Sequence, residues 1–247
     1  MSISESKDSI MVLFIKNISI EDPGTFGQFL DQKNIQYSIV DLSIDQQLPK
    51  DFSNIEAVVV LGGPMNVDEE DKHPFLTKEI VFIKEVLKRR IPYLGLCLGS
   101  QLLAKACGAR VGKSPQEEIG FSFVEFNDEG VSDPLLSGLG GVIEVFQWHG
   151  DMFEIPTKAN LLALSDKCPH QAFRINDNAY GLQFHVEITD KSIVQWTDAY
   201  VKDVKKNNHM KAKMISDYQS KKEVFHNTAN VIYQNFLNIV EQAKAKV

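Results

Sequence analysis

The chain has 247 residues, of which 43% are hydrophobic and 24% are charged, and its formal net charge is −7. This length and hydrophobic content predict a single domain, residues 1–247, with a full core. An acidic chain without a basic stripe suits neither nucleic acid nor an anionic membrane surface, so we predict neither as a partner.

The three cysteines have no close pairing in sequence. This argues against a disulfide framework and for a reducing compartment, which predicts a cytoplasmic protein. The N-terminal residues lack the apolar run of a secretory signal, and no run approaches the length of a membrane span. We expect residues 1–9 to be flexible and residues 242–247 to fray.

Strand and helix patterns alternate in the first part of the chain, which predicts an α/β fold: a mostly parallel central sheet with helices on both faces. Later segments are shorter and predict further strands, some antiparallel, beside the main sheet. Residues 190–247 predict C-terminal helices. The predicted strands are 11–15, 37–42, 57–61, 91–94, 121–126, 142–146, 161–164, 172–175 and 181–185, and the earlier helices are 24–33, 74–90 and 101–107.

Cys97 lies between a short apolar run and a predicted helix, in the stretch Gly95-Leu96-Cys97-Leu98-Gly99-Ser100-Gln101. Glycines two residues on either side suit a strained strand-to-helix turn, where a side chain would crowd the neighbouring elements. The N-terminus of the helix favours a thiolate. The pattern therefore predicts a nucleophile. The alternative is a buried cysteine that falls between two glycines.

His185 and Glu187 follow in the stretch Gly181-Leu182-Gln183-Phe184-His185-Val186-Glu187. A thiol nucleophile needs an imidazole beside it and a third group to orient that imidazole. Side chains two apart in an extended segment project to the same side, so Glu187 can hold the ring nitrogen that does not face sulfur. Alone, His-x-Glu would indicate a solvated strand end.

An apolar strand also runs into Gly62-Gly63-Pro64. Acyl transfer needs backbone N–H donors for an oxyanion, and the amides of Gly63 and Leu98 are the candidates. Taken alone, this segment would be a tight turn after a core strand.

Together, these motifs and Gln147-Trp148-His149-Gly150-Asp151 resemble the class I (triad) glutamine amidotransferases, above all stand-alone relatives of the glutaminase domain of GMP synthase. The resemblance covers roughly residues 55–190 and implies a flavodoxin-like fold of that family. It implies a γ-glutamyl thioester on Cys97, His185 as base, Glu187 as its orienter, and an oxyanion hole from Gly63 and Leu98. The implied substrate-binding residues are Gly62, Gln101, His149, Gly150 and Asp151. The family usually has proline where this chain has Val186.

We predict no cofactor and no metal. His149, Asp151, His185 and Glu187 could be imagined as metal ligands, but structural zinc ligands usually come at closer pair spacings. The substrate is then a small molecule, glutamine or a γ-glutamyl compound. Because the 247 residues include no synthetase domain, released ammonia would pass to a separate synthetase or acceptor subunit or into solution.

Three other functions remain open on the sequence alone. A γ-glutamyl peptidase or hydrolase would cleave γ-glutamyl conjugates with the same triad. A non-catalytic regulatory or binding module would keep the fold alone, although the presence of all three triad residue types argues against it. The third alternative is the related cysteine fold of deglycases and chaperones. Those proteins lack the Phe-His-x-Glu segment that this chain has at this spacing, which argues against them.

Overall fold

The computed structural model describes residues 11–245. The segment 1–9, which we expect to be flexible, lies outside the described residues, as do the last two residues of the chain. Within the described part, nine strands form one sheet with helices packed against it. No helix in this range is both long enough and apolar enough to cross a membrane.

The strands and helices follow the chain in this order. The strands are β1 (Met11–Lys16), β2 (Gln36–Asp41), β3 (Ala57–Val60), β4 (Tyr93–Leu96), β5 (Val111–Phe126), β6 (Val142–Phe153), β7 (Ala159–Leu164), β8 (Ala172–Ile175) and β9 (Ala179–Leu182). The helices are α1 (Gly24–Gln32), α2 (Phe75–Lys88), α3 (Leu98–Ala106), α4 (Asp128–Ser132), α5 (Asp190–Tyr200) and α6 (Val204–Lys244).

The sheet has the order β2-β1-β3-β4-β9-β8-β7-β5-β6. The first five strands pair in parallel and the last four pair antiparallel. This confirms the predicted α/β fold and the antiparallel extension. The carboxyl ends of β1, β3, β4 and β9 therefore lie along one edge, which is where open α/β sheets place their ligand sites.

The parallel strands are buried on both faces, and β3 shows how the core is divided. Ala57 and Val59 pack with α1 and the second half of α6, whereas Val58 and Val60 pack with α2 and α3. Alternate side chains of a strand point to opposite faces, so the four apolar residues of β3 contribute to the core on both faces of the sheet.

A third apolar cluster lies beside the carboxyl edge of the sheet. It joins Trp196 of α5 and Tyr218 and Phe225 of α6 to Phe146 of β6. The C-terminal helices predicted for residues 190–247 therefore form a wall beside the end of β9.

Three strand predictions were wrong in their bounds. The segments predicted as 121–126 and 142–146 are parts of β5 and β6, which pair with a register shift between Lys113 and Glu118. The added part of β5 is polar and largely exposed, so it shows no apolar alternation. The strand predicted as 181–185 ends at Leu182, and His185 forms an isolated antiparallel bridge with Phe146.

Candidate active site

Cys97 occupies the turn between β4 and α3 with a backbone φ of 49° and ψ of −105°. A non-glycine residue adopts positive φ at an energetic cost, so such a position must be held by its surroundings. A Cβ on Gly95 would lie 2.4 Å from the Gly99 carbonyl oxygen, and one on Gly99 would lie 2.2 Å from the Val60 carbonyl oxygen. The strand-to-helix turn expected from the glycine spacing is present.

His185 and Glu187 are buried at the same edge, beyond the end of β9. The Nδ1 atom of His185 lies 2.6 Å from Oε1 of Glu187, and His185 and Cys97 line the same cavity. Burial opposes protonation of the ring, but the charge of Glu187 and the contacts with Cys97 outweigh it and raise the pKa of His185 well above its usual value. The structure brings these three side chains together.

The backbone between His185 and Glu187 is held from three directions. The Val186 amide donates to Oε2 of Glu187 at 2.9 Å. The hydroxyls of Thr25 and Tyr233 donate to the Val186 carbonyl at 3.2 and 2.9 Å. Because Thr25 belongs to α1 and Tyr233 to α6, two helices fix the segment that carries the imidazole and the carboxylate.

Gly62 and Gly63 follow β3 and lie against the same site. A Cβ on Gly63 would lie 2.9 Å from Cδ2 of Leu98, and one on Gly62 would lie 2.3 Å from Oε2 of Glu21. Within residues 11–245, neither the Gly63 amide nor the Leu98 amide donates to a backbone carbonyl. The two predicted oxyanion donors are thus neighbours and unpaired within the described chain.

A cavity of about 400 Å³ opens beside Cys97. Four of the five predicted substrate-binding residues line it, namely Gln101, His149, Gly150 and Asp151, whereas Gly62 lies outside its lining. Its complete lining consists of Glu21, Gly63, Pro64, Met65, Cys97, Gln101, Glu117, Trp148, His149, Gly150, Asp151, His185, Trp196, Ala199, Tyr200 and Lys202.

Gln101 is joined to the thiol through a second glutamine. Its Nε2 donates to Oε1 of Gln183 at 3.1 Å and to the Asp151 carbonyl at 3.4 Å. Nε2 of Gln183 in turn donates a hydrogen bond to Sγ of Cys97, with 3.7 Å between the two atoms. Gln183 was part of the motif quoted above but not a predicted site residue; its position directly after β9, the neighbour of β4, places it there.

His149 and Asp151 lie on β6, opposite the thiol. Nδ1 of His149 lies 2.9 Å from the Asp151 carbonyl oxygen. The Asp151 carboxylate contacts Nζ of Lys113 at 2.8 Å and accepts from Nδ2 of Asn66 at 2.7 Å. The side chain of Asp151 is thereby tied to the protein, and both Asp151 and Gly150 line the cavity.

Among residues 11–245, one group of side chains could hold a metal ion. Ligating atoms of Glu118, His149 and Cys168 lie within 4.8 Å of one another. The Glu118 carboxylate already accepts from Nε2 of Gln171 at 2.6 Å and from the Ser165 hydroxyl at 3.2 Å. These contacts and His149 outweigh burial and hold the pKa of Glu118 below its usual value. The group shares only His149 with the four residues considered from sequence.

Sequence reasoning missed the wall of the cavity formed by Glu21 and α5. Trp196 packs edge-on against the His185 ring, with 4.7 Å between the ring centroids. The Tyr200 hydroxyl donates to Oε1 of Glu21 at 2.8 Å. Burial raises the pKa of Glu21 to about 7, against the opposing effects of His185 and Tyr200. Nothing in the local pattern around Glu21 predicts this placement, which arises where the β1–α1 loop meets α5.

Residues 28–195 match the sequence model of the family described as Glutamine amidotransferase class-I. The chain is 30% identical over 185 residues to the glutamine amidotransferase-like protein YfeJ of Salmonella typhimurium, covering 74% of this chain and 77% of YfeJ. It is 34% identical to a glutamine-hydrolysing GMP synthase subunit of Sulfolobus acidocaldarius, over 66% of this chain and 84% of that protein.

The match to the GMP synthase of Thermosipho melanesiensis has 35% identity and covers 55% of this chain, but it spans only 25% of that protein's length. Among solved structures, a glutamine amidotransferase from Thermotoga maritima superposes with a TM-score of 0.85 at 33% identity. That comparison covers 94% of this chain and 98% of the other.

Proposed function

We propose, since this chain belongs to the class I glutamine amidotransferase family, that it hydrolyses a γ-glutamyl amide through a thioester on Cys97. The observation that carries the proposal is that Cys97 and His185 line one cavity while Nδ1 of His185 lies 2.6 Å from Oε1 of Glu187. A thiol, an imidazole and an orienting carboxylate in series are the parts that cysteine acyl transfer requires.

In the acylation step, the Cys97 thiolate attacks the γ-carbonyl carbon and a C–S bond forms. We propose that two backbone amides, those of Gly63 and Leu98, donate to the oxyanion. The C–N bond then breaks as the His185 imidazolium gives its proton to the leaving nitrogen. Glu187 stabilises the imidazolium and does not take a proton itself.

In the second step, water attacks the γ-glutamyl thioester. His185, now neutral, removes a proton from that water while the C–S bond breaks. The products are glutamate and the restored thiolate and imidazolium pair. Oxidation states do not change, and no cofactor is needed.

The glutamyl end of the substrate would lie on the side formed by α3 and β6. Gln101 uses both N–H groups of its amide on protein oxygens, which leaves its amide oxygen for a substrate donor. His149, Gly150 and Asp151 line the same side. We propose that Gly150 and Asp151 act mainly through their backbone, because the Asp151 carboxylate is held by Asn66 and Lys113.

A γ-glutamyl peptidase or hydrolase is the second candidate function. The His185 side of the cavity is lined by α5, through Trp196, Ala199 and Tyr200, and by Lys202, which follows this helix. Such a wall can contact a leaving group larger than ammonia. If ammonia is the product instead, a separate synthetase subunit is the expected acceptor, since a matched relative is named as one subunit of a GMP synthase.

The test is to incubate the purified chain with glutamine and with a set of γ-glutamyl dipeptides, and to assay ammonia, glutamate and released amine. Glutamate should appear with at least one substrate. Cleavage of dipeptides in preference to glutamine would favour the peptidase. No glutamate from any of them would contradict the proposed chemistry.

A further inference from the structure

Glu21 places a second buried carboxyl group at the site, beside the proposed triad. Its side chain lines the cavity together with Cys97 and His185. Only 5% of the residue is exposed. A carboxyl group in such surroundings is costly unless both of its oxygens have hydrogen-bond partners.

The two oxygens differ in their partners. Oε1 accepts from the Tyr200 hydroxyl at 2.8 Å. Oε2 is buried and has no hydrogen-bond donor within residues 11–245. Buried polar atoms without partners are uncommon in native proteins, and one in a cavity wall is open to a hydrogen-bond donor of a bound ligand.

The position of Oε2 shows where that ligand group would lie. A Cβ built on Gly62 would be 2.3 Å from Oε2 of Glu21 and 3.1 Å from Cε1 of His185. Oε2 of Glu21 therefore lies beside the loop that carries Gly63 and close to the imidazole of His185. In the proposed reaction, this is the side on which His185 gives its proton to the leaving nitrogen.

Both residues of this contact lie outside the region that matches the family. The matched residues are 28–195, whereas Glu21 precedes them and Tyr200 follows them. The family match therefore does not include the hydrogen bond between Tyr200 and Glu21.

We propose that Glu21, held by Tyr200, forms the leaving-group subsite and accepts an N–H of the amine that is expelled. The subsite takes ammonia and primary amines, whose leaving nitrogen carries an N–H in the γ-glutamyl amide, and its substrate class is these amides as opposed to γ-glutamyl esters. This assignment rests on the proposed function. The acid adds no covalent step: His185 supplies the proton, and Glu21 receives a hydrogen bond from the departing nitrogen.

The test uses two substrates that give the same γ-glutamyl thioester. Glutamine expels an amine, whereas the γ-methyl ester of glutamate expels methanol and carries no N–H at the leaving atom. Glu21→Met keeps the length of the side chain and removes the acceptor. We expect kcat/KM for glutamine to fall about tenfold, the upper end of the range for one lost hydrogen bond. The loss of kcat/KM for the ester should be clearly smaller.

Glu117→Met is the matched control, because Glu117 lines the same cavity on the other side. It should leave the ratio of amide to ester cleavage unchanged. Tyr200→Phe removes the phenolic donor that holds Glu21, so it should shift the ratio in the same direction as Glu21→Met, by a smaller factor. Retained ester cleavage in each variant reports an intact fold and a working triad.

Equal losses of kcat/KM for the amide and the ester in Glu21→Met would contradict the proposed leaving-group subsite. Glu21 would then affect the thioester chemistry that both substrates share. No loss on glutamine would contradict the subsite as well. If the unsubstituted protein cleaves neither the amide nor the ester, the proposed function itself fails and the subsite falls with it.

Discussion

The Nδ1 atom of His185 lies 2.6 Å from Oε1 of Glu187, and both side chains are almost completely buried. This contact fixes the orientation of the imidazole, so that Nε2 is the nitrogen left for Cys97. The same contact keeps a negative charge beside the ring and contributes to the raised pKa of His185. The order of importance of the two residues can be tested directly.

His185→Ala should lower kcat more than Glu187→Gln does. The imidazole moves protons in both steps, whereas the carboxylate orients and stabilises it. In triad enzymes the two losses differ by about two orders of magnitude. Steady-state rates on the best γ-glutamyl substrate measure the ranking, and a larger loss for Glu187→Gln would reverse the roles proposed for the two residues.

Gly99→Ala should destabilise the fold strongly. The added methyl group would lie 2.2 Å from the Val60 carbonyl oxygen, so strand β3 or helix α3 must move. We expect a loss of roughly 3 kcal/mol of unfolding free energy, in the upper range for overpacking. Urea unfolding of the variant measures it.

Gly112→Ala is the matched control for this substitution. A Cβ at Gly112 meets nothing within 4 Å. A change within about 1 kcal/mol is expected there, because only the intrinsic strand preference of alanine over glycine is involved. Equal effects at the two positions would contradict the packing argument.

Glu79→Gln should remove part of the pH dependence of stability. Glu79 is fully buried in α2, and burial raises its pKa from 4.5 to about 8. The folded protein holds this proton up to about pH 8, whereas the unfolded chain releases it near pH 4.5. The free energy of unfolding should therefore fall as pH rises through this window, by at most about 1.4 kcal/mol per pH unit.

Urea unfolding at about pH 5 and about pH 8, the two ends of this window, measures the effect. The slope should be shallower in Glu79→Gln than in the unsubstituted protein. Glu85→Gln, at a half-buried position of the same helix where the carboxylate pairs with Arg89, serves as the control and should keep more of the original slope than Glu79→Gln does. An unchanged slope in Glu79→Gln would show that the buried carboxyl does not titrate in this range.

The sequence predicts the parts of this molecule that depend on local pattern. The run from Met11 to Ile15 and the buried run from Ala57 to Val60 indicate strands because apolar residues fill them. The glycines around Cys97 predict its turn because only glycine fits there. These features depend on residues that lie within a few positions of one another.

Features that depend on distant residues could not be predicted in this way. The polar first half of β5 is a strand because it pairs with β6, and its own composition gives no sign of this. Glu21 reaches the cavity because the β1–α1 loop meets Tyr200 of α5, 179 residues later in the chain. Only the folded arrangement brings this carboxyl group next to His185.

Covalent labelling with a diazo-ketone analogue of glutamine, followed by peptide mass spectrometry, tests directly whether Cys97 is the nucleophile. The thiolate displaces dinitrogen and forms a stable C–S bond, so the label marks the nucleophile that reaches the bound analogue. We expect a single label at Cys97, lost in Cys97→Ala and blocked by excess substrate. Labelling mainly at Cys107 or Cys168, or full γ-glutamyl turnover by folded Cys97→Ala, would contradict it.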